Sequence, residues 1–348
     1  MSSLPQSMRA AVYRKPRVLE IEDTPVPEPG AGEVLIEVSH CGICGTDLHM
    51  VLEGMGLPDT IGGHEYSGRI VATGSAVEGW AIGDEVVGTG HRGCGSCDGC
   101  GAGRPSLCSG RTVLGGGGSG AFAGYKKLAV EQLVRVPAGL SLREAALAEP
   151  LAVALHALTV GRAAAGQRAL VTGAGPLGLL VIAALRAQGI DDVTVSEPSP
   201  VRRERAGMVG GTRLVEPDAL AAPPMPFTIV EEPFDLALEC SGSPRAMEHA
   251  LTQLRCMGTL VIVGTGSSRP KFDHNRILMN ELIVTGAYNY DAGGFERALG
   301  LLAEGALPTE QLIEPDDVPL DHLFHALERL ERQELAGKVM VAPRLSRA

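Results

Sequence analysis

Long apolar runs, basic clusters and aromatic side chains are all scarce in this sequence. Aromatics make up 3% of the 348 residues, with a single Trp. The longest apolar stretch, Leu170–Leu185, is interrupted by three glycines and a proline. It falls short of the roughly 18 apolar residues that a membrane helix needs, so no membrane partner is expected. Lys and Arg total 30 against 41 Asp and Glu, a formal net charge of −11. No run of Lys or Arg forms a basic patch. An acidic chain repels phosphate backbones, which argues against nucleic acid as a partner. The opening segment MSSLPQSMRAAVYRKP lacks the apolar core of a secretory signal, so a cytoplasmic protein is expected. Gly (46) and Pro (23) together stay below the share that marks low-complexity sequence. The glycines must therefore serve particular turns.

In a reducing compartment, clustered cysteines are more often metal ligands than disulfides. Of eight cysteines, Cys94, Cys97, Cys100 and Cys108 follow the spacing C-x2-C-x2-C-x7-C. Four thiolates on glycine-rich turns satisfy tetrahedral zinc and leave no open position, so the site reads as structural. An iron–sulfur cluster is the competing reading. Ferredoxin-type motifs, however, continue C-x3-C-P, and no Pro follows Cys108. Cys41, Cys240 and Cys256 read as small buried residues.

The pattern of the chain changes near its middle. Glu33–His40, Tyr66–Thr73 and Gly83–Thr89 are short strand-like runs. Ser141 and Glu144 fit a capping box before a helical stretch that Pro150 should kink or divide. From Arg168 onward, apolar runs alternate with helical segments: Arg168–Thr172, Pro176–Gln188, Val193–Ser196, Val201–Val209, Phe234–Cys240, Pro244–Met257, Leu260–Gly264 and Leu282–Ala287. Such alternation predicts βαβ units and a parallel sheet buried on both faces. Pro217–Pro233, with five prolines, reads as irregular.

Gly173, Gly175 and Gly178 form G-x-G-x-x-G between a strand and a helix, the setting of a dinucleotide phosphate turn. With Pro176 and Leu177 they are the candidate cofactor loop. Glu197 follows nineteen residues after Gly178, at the end of the next strand. An acidic residue there accepts from the adenosine ribose and repels a 2′-phosphate, which favours NAD over NADP. Arg202 and Arg203 could argue the opposite. They read otherwise as a solvated helix face, and Arg202 is kept as a candidate cofactor residue.

Two further segments, Cys41-Gly-Ile-Cys-Gly-Thr-Asp-Leu-His49 and Gly62-Gly-His-Glu65, supply Cys, His and carboxylate close together, as an open second zinc site would need. With GDEVVG, the four-cysteine lobe, AEPLAVALHA and VTGAGPLG, these motifs stand in an order that resembles the zinc-dependent medium-chain alcohol dehydrogenase family. The resemblance is greatest to its polyol, threonine and butanediol dehydrogenase branch. It implies an α/β protein: a doubly wound Rossmann domain over 153–288 and a β-rich, GroES-like catalytic domain with a structural zinc lobe. The latter would be a partly open barrel over 1–152, with 289–348 returning to it. It also implies two zinc ions per chain and NAD. The catalytic ion would take Cys44 and His64, with Glu65 or Glu149 as the third ligand; which carboxylate binds at rest stays open.

The activity implied is hydride transfer between NAD and a secondary alcohol, diol or polyol, with a metal-polarised substrate oxygen. A proton relay would run from Thr46 through the cofactor ribose to His49. NADP-dependent aldehyde or ketone reduction is the alternative within enzymes, and a non-catalytic zinc- and NAD-binding sensor the alternative outside them. Asp47 reads as loop-organising, Phe122 as a pocket lining, and Tyr288–Tyr290 as a segment able to reach the substrate. The small-molecule enzyme would be a dimer or tetramer, with Leu282–Ala287 resembling the family's subunit-pairing segment. Gly115–Gly118 reads as a flexible turn.

Overall fold

The computed structural model describes residues 4–90, 93–110, 120–290 and 292–345. Gly115–Gly118 lie outside the described residues. Six parallel strands form one sheet, in the order Arg213–Val215, Asp192–Ser196, Arg168–Thr172, Phe234–Glu239, Leu254–Ile262, Ile283–Gly286. Its two central strands are apolar on both sides. Ala169, Val171, Leu236 and Leu238 join one buried cluster, while Leu170 and Ala237 join another on the opposite face. Helices therefore cover both faces, as a wholly parallel sheet requires. The chain winds outward in both directions from Arg168–Thr172, so the crevice after that strand is the topological switch point where ligands bind in such sheets.

The N-terminal strands pair antiparallel throughout. Ser7–Lys15 pairs with Val18–Pro25 and Thr60–Ile61. Glu33–Gly42 pairs with Glu65–Thr73, Tyr125–Ala129 and Met340–Val341. Leu320, Leu323, Leu327, Val339 and Val341 share a core with Val34, Leu35, Ile36 and Ile70, which brings the end of the chain back to its beginning.

Ser141 caps the helix Leu142–Ala145, its hydroxyl accepting from Glu144 N at 3.2 Å. A separate helix, Ala148–Val160, starts after a gap of two residues. Pro150 sits in its first turn, where a missing N–H costs nothing, so the division precedes the proline. The expected helix Pro244–Met257 ends at Thr252 instead, and Leu254–Ile262 is strand. Leu254 pairs there with Phe234 before a bulge, in which Met257 has φ +61°. The bulge breaks the alternation and turns Cys256 outward, so Cys256 is exposed rather than buried. Cys41 is buried and Cys240 half-buried.

Candidate active site

Strand Glu33–Gly42 delivers Cys44 to the N-cap of the helix Gly45–Val51. Asp47, 1% exposed, accepts from Cys44 N at 2.8 Å and so fixes the thiol's approach. Strand Glu65–Thr73 places Glu65 opposite Gly42. A Cβ on Gly42 would collide with Glu65 Oε2 and meet Lys338 Cδ at 3.0 Å, so glycine makes the room. Ligand atoms of Cys44, His64 and Glu65 all lie within 4.8 Å of one another. Glu149 is not in that group. It stands on the same cleft wall in the first turn of Ala148–Val160, and burial pushes its carboxyl up to about 7, against the opposing pull of His64.

Charges here favour a cation. Burial opposes the charged form of His64, but Cys44, Asp47 and Glu149 outweigh it and raise the imidazole well above its ordinary range. Surroundings negative enough to hold that proton would hold a divalent ion too. Lys338 Nζ lies 2.7 Å from both Glu65 oxygens, but only Oε1 is aligned to accept from it. Oε2 is buried, with that ammonium beside it but no aligned hydrogen bond. A donor set of thiol, imidazole and carboxylate, with one carboxylate oxygen accepting no aligned hydrogen bond, fits zinc with an open position. Sequence reasoning missed Lys338. Its one signal was a lysine between Gly337 and the apolar run Val339–Val341, since buried lysines require a buried acid.

The four lobe sulfurs also lie within 4.8 Å of one another, with Cys94 and Cys100 Sγ 4.0 Å apart. Tetrahedral Zn–S bonds put sulfurs about 3.8 Å apart. No pair among the described cysteines is disulfide-bonded. Backbone N–H groups of Cys100 and Ser109 pull the Cys97 thiol down to about 5. Cys100 rises to about 11: Gly95 N–H favours its thiolate, but desolvation and the three neighbouring sulfurs override that. Four crowded thiols that cannot all ionise alone suit a metal that deprotonates all four. Cys97→Ser is expected to remove one zinc per chain and to lower the melting midpoint by roughly 5–10 °C, as a loss of a few kcal/mol does in a chain of this size. Zinc analysis beside a thermal scan checks this; an unchanged metal content would refute it.

The same cleft, about 1570 Å³, runs from Cys44, Thr46, His49 and Glu149 to Gly173, Gly175, Pro176, Leu177 and Glu197. Gly173 has φ +89°, and a Cβ on Gly178 would collide with the Gly173 carbonyl, so the turn and the start of Pro176–Ala187 pack backbone to backbone. Gly175, the N-cap, faces open space apart from Arg202 Nη1. Free helix N–H groups and an open glycine fit a pyrophosphate. Glu197, 3% exposed, accepts from Ala174 N at 2.7 Å through Oε2 and from Ser199 N at 2.8 Å through Oε1. Arg203 donates to Glu197 O, Pro198 O and Glu216. Arg202 is not on a solvated face: Nε donates to Leu335 O at 3.1 Å and Nη2 to Leu330 O at 3.3 Å.

Thr46 Oγ1 is 3.6 Å from Cys44 Sγ. His49, three residues on along the same helix, has Nδ1 2.9 Å from Glu53 Oε1 but out of line for a hydrogen bond. Tyr288 and Asn289 line the cleft, whereas Tyr290 turns its hydroxyl to accept from Gly90 N at 2.8 Å. Phe122 does not line the cleft; it packs against Gly62 and Gly63, beside a small void bounded by Asp47.

A four-cysteine lobe, together with an open thiol–imidazole–carboxylate cluster that shares its cleft with a dinucleotide turn, defines the class. Residues 30–138 match the alcohol dehydrogenase GroES-like domain, and 176–304 match the zinc-binding dehydrogenase domain. The chain is 35% identical to sorbitol dehydrogenase of Bacillus subtilis (strain 168), over 98% of this chain and 99% of that protein. Among solved structures, 2R,3R-butanediol dehydrogenase from Bacillus subtilis has a TM-score of 0.85 at 32% identity, covering 97% of this chain and all of that one. A putative zinc-binding dehydrogenase from Sinorhizobium meliloti 1021 bound to NADP has a TM-score of 0.87 at 30% identity, with the same coverage. The chain belongs to the zinc-dependent medium-chain alcohol/polyol dehydrogenase family.

Proposed function

We propose that this chain oxidises a secondary alcohol, diol or polyol with NAD, and reduces the ketone in reverse. The observation that carries this reading is the Cys44–His64–Glu65 cluster opening onto the same cleft as the Gly173–Gly178 turn. Cys44, His64 and Glu65 would hold the catalytic zinc, with Glu149 available as an exchanging carboxylate, and Cys94, Cys97, Cys100 and Cys108 the structural ion. When bound, zinc supplies a Lewis acid for the alcohol oxygen, and NAD supplies the hydride acceptor. Thr46 and His49 are the protein's two ends of the proton relay, with a cofactor ribose hydroxyl between them. His49 hands the proton outward past Glu53, which is 46% exposed.

NAD over NADP rests on Glu197. Two of the roughly four acceptor positions of its carboxylate are occupied by backbone N–H groups, which leaves capacity for ribose hydroxyls. A 2′-phosphate would face a buried negative charge. Arg203 is already engaged by Glu197 O, Pro198 O and Glu216, and Arg202 faces Gly175 instead. The expected result is a higher kcat/KM with NAD than with NADP, and a gain in NADP use of about tenfold or more in Glu197→Ala as the repulsion of roughly a kcal/mol or two disappears. A screen of NADH formation across alcohols, diols, polyols and sugars tests the activity; a wild-type preference for NADP would contradict the cofactor reading.

The division at 152/153 and 288/289 into catalytic and NAD-binding domains belongs to the same reading. So does a cytoplasmic dimer or tetramer paired through Ile283–Gly286, an edge strand flanked by exposed Leu278 and Met279. No helix among the described residues is long and apolar enough to cross a membrane.

A further inference from the structure

The helix Pro200–Met208, which borders the cofactor turn, holds the segment that leads to Glu65. Arg202 and Arg205 lie three residues apart on one helix face. Arg202 donates to Leu330 O and Leu335 O. Arg205 Nη1 donates to Gln311 O at 3.0 Å, and Nη2 lies 3.5 Å from Glu314 Oε2. The other oxygen of Glu314 accepts from Ala336 N at 3.1 Å and Gly337 N at 2.6 Å. Lys338 N then donates to Leu312 O at 2.8 Å, and Glu314 N donates to Lys338 O at 2.9 Å. From that fixed backbone the Lys338 side chain crosses to Ile43 O at 3.0 Å and to Glu65.

Every link is polar and shielded. Lys338 and Glu65 side chains are 3% and 1% exposed, and those of Arg205 and Glu314 are 21% and 14%. Segment 335–337 has no helix or strand of its own to fix it. Arg202 holds Leu335 O, and Glu314, itself met by Arg205, holds Ala336 N and Gly337 N, beside the packing of Leu335 and Ala336 and the backbone pairing of Lys338. Lys338 in turn decides how far Glu65 is free: an ammonium on Oε1 competes with a metal for the same carboxylate, and its charge opposes a divalent ion nearby.

We propose that Leu335–Lys338 is a strap through which the nucleotide-binding helix sets the availability of Glu65 as a metal ligand, with Arg205 and Glu314 as its positioning residues. Because Arg202 also faces Gly175, movement of its guanidinium toward a bound pyrophosphate would loosen the strap from the cofactor side. By linkage, the two sites would then influence each other's affinity equally.

This inference rests on the metal reading of the Cys44 site, and cobalt(II) separates the two. The test uses the full-length chain with its lobe zinc retained and cobalt titrated into the Cys44 site, without cofactor. It compares wild type, Arg205→Met, Lys338→Met and the double variant. The readouts are cobalt affinity by competition with a chelator and the visible ligand-field spectrum, with a melting curve for each protein. Absence of a cobalt–thiolate band sensitive to Cys44→Ser would overturn the metal reading itself.

Given that band, the strap predicts tighter cobalt binding in Arg205→Met by about fivefold, the low end of coupling between linked sites. Lys338→Met should tighten it at least as much, and both should share a spectral change as Glu65, released from Lys338, binds the metal more closely. Adding Arg205→Met to Lys338→Met should then change nothing further. Arg205→Lys, which keeps the charge, should restore part of the wild-type affinity. Glu314→Gln should reproduce Arg205→Met if the latter folds poorly. No shift in Arg205→Met and Glu314→Gln, or the same shift with and without Lys338, would overturn the strap.

Discussion

Cys44→Ser is expected to leave one zinc per chain and to lower kcat/KM by about a thousandfold or more. A metal's polarisation of an oxygen contributes several kcal/mol, and each 1.4 kcal/mol is a factor of ten. The reason lies in how little else in the cluster can substitute. His64 and Glu65 remain, but one Glu65 oxygen is tied to Lys338, and Glu149 stands outside the group. A serine hydroxyl does not ionise near neutral pH and is a poor zinc ligand. The local fold should persist, because Asp47 accepts from the backbone N–H of residue 44 and not from its thiol. A normal melting curve with half the zinc and almost no turnover is the expected combination. Full turnover with one zinc would place the chemistry elsewhere.

The second large effect is expected from Thr46→Val. Valine keeps the shape and removes the hydroxyl that starts the proton path. General acid–base participation contributes about 10²–10⁴ in rate, so kcat should fall by about a hundredfold or more while zinc content and NADH affinity hold. His49→Gln should cost less, because the cleft is open to water near Glu53. Its loss should also be partly restored by a small buffer base. An equal loss in both variants, insensitive to buffer, would mean that the helix positions substrate instead of moving a proton. A Thr46→Ser variant, which restores the hydroxyl, separates chemistry from packing.

Much of this was legible in the residues. The phosphate turn follows from glycine spacing between a strand and a helix, and the parallel sheet from apolar runs that alternate with helical segments. The lobe follows from four cysteines at short spacing. Each signal is local, carried by residues close in sequence. The parts that escaped depend on residues far apart. Lys338 meets Glu65 across 273 positions. Arg202 reads as a solvated residue until Leu330 and Leu335 are brought to it. Phe122 reads as a pocket wall until Gly62 and Gly63 pack beneath it. The helix ending at Thr252 was misplaced because the pairing of Leu254 with Phe234, a tertiary contact, overrode local helical character. Sequence left Glu65 and Glu149 equivalent. The register of Gly42 against Glu65 distinguishes them, and register is set by the pairing of whole strands.

The most direct test counts zinc and turnover in one sample. The protein is exposed to a chelator for increasing times, and each aliquot is divided between metal analysis and NAD-linked oxidation of the best alcohol from the screen. Activity should fall in step with the first ion lost, reach its floor at one zinc per chain, and return when zinc is restored. Turnover that survives undiminished at one zinc per chain would contradict catalysis at the Cys44–His64–Glu65 site.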